Sequence, residues 1–119
     1  MDLHRRNGAN TIHVVRPEGE LDLVTAPRFR NLLRQDHRRA AGPPRLIVDL
    51  GAVSFMDCSG LRELCAAQSW AVEQGGWLRV VHDRRGIATL LSATRLTGRF
   101  PRYATVRDAR RDRMANCSP

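Results

Sequence analysis

The chain has 119 residues, a formal charge of +8 and 42% apolar residues, which allow one hydrophobic core, leave too little for two, and exclude a disordered polymer. Its apolar runs last only a few residues, too short for a membrane span. The opening MDLHRRNGAN lacks an apolar signal segment, so a cytoplasmic location with reduced thiols is expected for Cys58, Cys65 and Cys117.

Residues 1–10 are read as an N-terminal extension, 11–112 as the domain and 113–119 as a flexible tail. Thr11 to Val15 alternates weakly and predicts a strand; Arg16 to Glu20 is a turn or bulge, and Leu21-Asp22-Leu23 a short extended continuation, together a hairpin or a bent edge strand. Thr25 is the expected cap of a first helix with Pro27 in its first turn. Phe29, Leu32 and Leu33 form its apolar face, and Arg28, Arg30, Arg34 and Arg38 its outer one. Ala41-Gly42-Pro43-Pro44 stops that helix, and the central strand runs from Arg45 to Leu50.

A short polar loop, Asp57-Cys58-Ser59-Gly60, then opens a second helix whose stripe is Leu61, Leu64, Cys65, Ala71 and Val72 and whose stop is Gly75-Gly76. Trp77 to His82 is the next strand. A third helix is read from Ile87, Leu90, Leu91 and Thr94, a last strand from Phe100 to Ala104, and a short basic helix capped by Thr105. Strand, helix, strand implies a right-handed parallel crossover, and the whole predicts an α/β fold: a mixed central sheet with about four helices, mainly on one side.

The loop at Asp57 is the first candidate for function. It displays a thiol, a hydroxyl and a carboxylate where a helix start leaves backbone N–H groups unpaired and the dipole positive, a setting for a phosphate, another anion or a partner's contact. Other chemistry is poorly supported. His4, His13, His37 and His82 show no metal-ligand spacing, the 3 cysteines no CxxC pair, and Gly75-Gly76 and Gly98 read as turns rather than a phosphate loop. A cysteine nucleophile would need a base that no sequence feature supplies, so no catalytic activity and no cofactor are expected. All 20 basic residues are Arg, which a GC-rich coding sequence explains more simply than a nucleic-acid role; the arginines are dispersed and do not alternate with the aromatics.

Gly19-Glu20-Leu21-Asp22 ahead of a capped helix, Val48-Asp49-Leu50 closing the central strand, and Val53 to Leu61, VSFMDCSGL, opening the next helix resemble the STAS domain, specifically the bacterial anti-sigma-factor antagonists. Leu78-Arg79-Val80-Val81, Leu96-Thr97-Gly98 and Phe100 fit the same pattern, which covers nearly all of Thr11 to Ala109. The resemblance implies a single STAS-like domain that regulates by binding. Its partner would be an anti-sigma factor with serine kinase activity, the result release of a sigma factor, and the reset a phosphatase. Asp22, Asp57, Cys58, Ser59, Gly60 and Leu61 would form the partner contact, with no nucleic acid and no membrane involved.

The family's loop carries a phosphoacceptor serine where this chain has Cys58, followed by Ser59. Three readings follow, in order of preference: an antagonist without the switch, Ser59 as the acceptor, or Cys58 as a redox switch. A STAS subunit of a transporter or signalling assembly, an Arg-rich nucleic-acid-binding domain and a small-ligand sensor are the alternatives. Asp22, Asp57 and Cys65 also have plain structural readings, as turn residue, helix cap and core residue.

Overall fold

Leu46, Ile47 and Val48, and Leu78, Val80 and Val81 on either side of half-buried Arg79, are buried as residues of central strands in a parallel sheet should be, and they form the middle of the molecule. A computed structural model describes residues 11–35 and 42–112. In chain order its elements are β1 (His13–Val15), β2 (Gly19–Leu21), α1 (Ala26–Arg34), β3 (Arg45–Asp49), β4 (Val53–Met56), α2 (Cys58–Glu73), β5 (Trp77–Val81), α3 (Arg85–Ala93), β6 (Arg102–Tyr103) and α4 (Val106–Arg110). The N-terminal extension, Arg38, Ala41 and the tail with Cys117 lie outside the described residues.

The main sheet has the order β1-β3-β5-β6, and β2 pairs with β4 in a separate ribbon. The α/β class is as expected, but every described strand pair is parallel, where the sequence predicts a mixed sheet. The reason lies in the connections. β1 and β2 form no hairpin: the chain leaves the main sheet, runs through β2 and α1, and returns to β3 beside β1, a crossover that makes neighbours parallel. Val53 to Met56, read as part of the approach to the second helix, is a strand in its own right.

Side-chain alternation along β3 divides the core. Leu46 and Val48 face the larger cluster, with Phe29 and Leu33 of α1, Leu61 and Leu64 of α2, and Ile87 and Leu91 of α3. Ile47 faces the opposite side, where Val81 and Tyr103 meet Ala109 of α4. Three helices thus cover one face, and the short C-terminal one covers the other. Each fully buried aliphatic side chain contributes roughly 1.5–3 kcal/mol relative to exposure, so the larger cluster carries most of the stability.

Polar clasps tie the layers. Arg30 of α1 grips Glu63 of α2 through two bonds, Nε to Oε1 at 3.0 Å and Nη2 to Oε2 at 2.9 Å, and this hydrogen-bonded guanidinium holds the buried Glu63 carboxyl below the ordinary carboxylate range. On the other face Arg79 stacks on Trp77 and donates to the Ala109 carbonyl at 2.8 Å. Burial first, and then its hydrogen bond to Asp112, push the Tyr103 hydroxyl up to about 12. Gly76 marks where β3 and β5 begin: a Cβ there would lie 1.7 Å from the Pro44 carbonyl oxygen, which accepts the Trp77 N–H at 2.9 Å.

Candidate functional site

Asp57 ends β4 in an extended conformation and starts α2. Its Oδ1 accepts the N–H of Ser59 at 2.8 Å and of Gly60 at 3.3 Å, and its own carbonyl takes the Leu61 N–H at 3.0 Å. This is full N-cap geometry, so the structural reading of Asp57 holds. The cap turns the next side chain outward: Cys58 is exposed, Ser59 is half-buried.

Gly60 and Leu61 lie beneath the surface of this loop. Both are buried. A Cβ on Gly60 would sit 2.9 Å from the Cβ and carbonyl oxygen of Leu21 and from Cγ of Met56. Only glycine lets the first turn of α2 settle this closely against β2 and β4. Leu61, 3% exposed, belongs to the core. These two residues shape the loop from beneath.

Asp22 lies beside this loop because β2 and β4 are paired, with Leu21 opposite Met56, and because the Asp57 N–H donates to the Leu21 carbonyl at 3.1 Å. Its Oδ1 accepts the N–H groups of Val24 at 3.0 Å and Thr25 at 3.1 Å, while the Thr25 hydroxyl accepts the Asp22 N–H at 2.9 Å. That reciprocal pair is a capping box with threonine in the distal place. Thr25, the expected cap, makes no cap bond forward into α1; Asp22 does the capping three residues earlier, because its carboxylate reaches the free N–H groups of the turn.

This turn and β4 expose apolar residues that sequence reasoning did not assign to the site. Leu23 is 76% exposed, Val24 85% and Phe55 52%. Leu23 and Val24 form the tip of the Asp22 turn; Phe55 points away from buried Met56 on β4. An apolar pair inside a capping turn is the signal that was available, since such residues cannot reach the core from the tip. Val72, read as part of the buried stripe of α2, is also exposed, at 59%; Ala71 takes the inward position at that turn.

The site therefore joins two capped helix starts, two carboxylates used as caps, an exposed thiol, and a rim of Leu23, Val24 and Phe55. Exposed apolar side chains grouped around a polar centre suit a protein partner. Among the described residues there is no group of His, Cys, Asp and Glu that could hold a metal ion, and no helix long and apolar enough to cross a membrane.

A family model of the STAS domain matches residues 4–109. Among solved structures, an anti-sigma factor antagonist from Mycobacterium paratuberculosis is similar at 30% identity and TM-score 0.73, over 85% of this chain and 84% of that one. The Thermotoga maritima protein TM1081 gives TM-score 0.75 at 19% identity, over 85% of this chain and 86% of that one. The anti-sigma factor antagonist SpoIIAA in its unphosphorylated form gives 0.61 at 19%, over 84% and 86%; at such identities the likeness is one of fold. No curated protein matches the sequence.

Proposed function

The chain belongs to the STAS domain family, and from that premise we propose that it is an anti-sigma-factor antagonist, which binds an anti-sigma factor of the serine kinase type and so frees a sigma factor. The observation that carries this reading is the exposed Cys58 at the capped start of α2, bordered by the Asp22 turn and by Leu23, Val24 and Phe55. The antagonist from Mycobacterium paratuberculosis, similar over most of both chains, supports it.

Binding works by competition. Burying the apolar rim supplies affinity, while Asp22 and Asp57, fixed as caps, present carboxylate oxygens in set positions and so favour a partner surface with facing N–H or cationic groups. A phosphoryl group at residue 58 would add about −1.5 to −2 charges beside these carboxylates and break the contact by repulsion and desolvation. Cys58 gives a serine kinase no hydroxyl there, so the complex persists in the presence of ATP. Ser59, half-buried with its backbone bound to Asp57, is a poorer acceptor than an exposed residue 58.

The test is affinity capture from a nuclease-treated host lysate supplied with ATP, comparing wild type with Cys58→Glu. Glutamate in the first turn of a helix is stabilising by about 0.3–1 kcal/mol, so the variant stays folded. Recovery of an anti-sigma kinase by wild type and its loss with Cys58→Glu support the proposal. Equal recovery by both removes the contact from this loop, and recovery of membrane transport components instead moves the protein to the transporter branch of its family.

A further inference from the structure

The packing of α1 against α2 collects arginines beside the Asp57 loop. Arg30 and Arg34 stand one helical turn apart on α1, Arg62 stands one turn beyond Cys58 on α2, and all three are exposed. The helices are joined by the Arg30–Glu63 pair, and the Glu63 carboxyl also feels the charges of Arg34 and Arg62. Three guanidinium groups therefore share the saddle between the two helices.

The charges in this saddle do not balance. Glu63 is only 7% exposed and gives both carboxylate oxygens to Arg30. Arg34 and Arg62 have no hydrogen bond or ion pair among the described residues. No acidic residue lies on α1, and the other carboxylate of α2 is Glu73, at its far end. From Arg62 to Glu73 the helix rises about 16 Å, about twice the screening length of roughly 8 Å at physiological salt, so Glu73 offsets nothing here. Arg28, the remaining arginine of α1, lies apart, at a small cavity that it shares with Glu18 and Glu20.

At the loop itself the sign is reversed. Asp22 and Asp57 are fixed there as caps, and a single helical turn separates Cys58 from Arg62. The surface around the exposed start of α2 is thus negative on the loop side and positive on the saddle side. Charges at the margin of a contact steer encounter and fix orientation more than they supply affinity.

We propose that the α1–α2 saddle extends the partner contact of the Asp57 loop and receives an acidic strip of the anti-sigma factor, with Arg34 and Arg62 setting the orientation of docking. The inference rests on the antagonist reading above and adds the sign of the partner's surface: cationic groups opposite Asp22 and Asp57, carboxylates opposite Arg34 and Arg62. A partner turned end for end would bring like charges together on both halves, so one orientation is admitted. A nucleic-acid backbone laid across the same surface would meet Asp22 and Asp57 and be repelled there.

The experiment uses the full chain and, as probe, the purified anti-sigma kinase that wild type retains in the capture described above. Association rate and affinity are measured at about 0.1 M and about 1 M salt, where charges act over about 10 Å and about 3 Å. Arg34→Gln/Arg62→Gln should slow association and weaken binding by at least about threefold at the lower salt, and the difference should vanish at the higher. Both side chains are exposed, so the variant should melt with wild type. Arg107→Gln/Arg110→Gln on α4 removes the same charge from the other face of the sheet and should change neither quantity. Loss of binding by Cys58→Glu with none by Arg34→Gln/Arg62→Gln would leave the antagonist reading standing and overturn the saddle. Equal weakening by the two double variants would overturn it as well, because net charge and not this surface would then be responsible. Tighter binding of a short DNA duplex than of the kinase would assign the saddle to nucleic acid instead, and the absence of any kinase from the wild-type capture would remove the antagonist reading and the saddle together.

Discussion

Asp57 has two roles in this account, cap and contact, and substitution separates them. Alanine removes the oxygen that accepts from Ser59 at 2.8 Å and Gly60 at 3.3 Å. Loss of an N-cap costs about 0.5–2 kcal/mol, and because the shorter bond is made by a carboxylate, the upper half of that range, about 1–2 kcal/mol, is expected. Asparagine keeps an oxygen in the same place and caps as well; it forfeits only the attraction between carboxylate and helix dipole, about 0.3–1 kcal/mol. For a domain of this size about 1 kcal/mol moves the melting temperature by roughly 3–6 °C. Asp57→Ala should therefore melt roughly 4–10 °C below wild type, and Asp57→Asn clearly closer to it. Thermal unfolding followed by circular dichroism, with urea midpoints as a check, makes the comparison. Partner affinity should fall in both variants. The reasoning is refuted if Asp57→Asn melts as low as Asp57→Ala, since charge rather than the cap bonds would then hold the loop, or if Asp57→Ala leaves stability unchanged.

Other expectations concern packing and protons. Gly76→Ala, forced against the Pro44 carbonyl oxygen at 1.7 Å, should destabilise by about 3 kcal/mol or more, and a urea midpoint equal to wild type would contradict the packing described here. The Glu63 carboxyl is held below its unfolded value near 4.5, so its contribution is present above that value and lost as the pH falls through the folded one. Urea midpoints from neutral to acidic pH should drop more steeply for wild type than for Glu63→Gln, whereas parallel curves would show that the Arg30 clasp adds nothing. His82 is a base held below 6.5; the unfolded chain takes its proton first, so stability should begin to fall as the pH drops through 6.5, a step that His82→Gln should lack. A thiol reagent should modify exposed Cys58 well before half-buried Cys65, and equal rates would mean that the first turn of α2 is not displayed as described.

Much of the fold is legible in the sequence because local and tertiary demands coincide there. The run at β3 is apolar on both faces, β5 is apolar apart from Arg79, α2 begins at an acidic cap, and Gly75-Gly76 ends it. The β2–β4 ribbon is not legible. Its strands are three and four residues long, and only Leu21, Val53 and Met56 are buried, so no alternation marks them, and their pairing joins segments about 30 residues apart. Strand direction is hidden for a similar reason, since only the path through α1 makes β1 and β3 parallel.

The site was half legible. Asp22, Asp57, Cys58 and Ser59 come together at one edge because the Leu21 carbonyl takes the Asp57 N–H, and they could be read from the loop. Gly60 and Leu61 belong to the same motif but point inward, and a motif does not separate residues that shape a surface from residues that form it. Leu23, Val24 and Phe55 look like core by composition; the turn geometry sets Leu23 and Val24 outward, and Phe55 stands on the outer side of β4 beside buried Met56.

The most direct test is equilibrium affinity for the anti-sigma factor, measured with purified proteins by calorimetry in the presence of ATP, for wild type, Cys58→Ser and Cys58→Glu. Wild type should bind stably and displace the sigma factor, Cys58→Ser should bind at first and weaken as it becomes phosphorylated, and Cys58→Glu should bind poorly throughout. Unchanged affinity across all three would contradict the account, because the exposed residue at the start of α2 would then lie outside the contact.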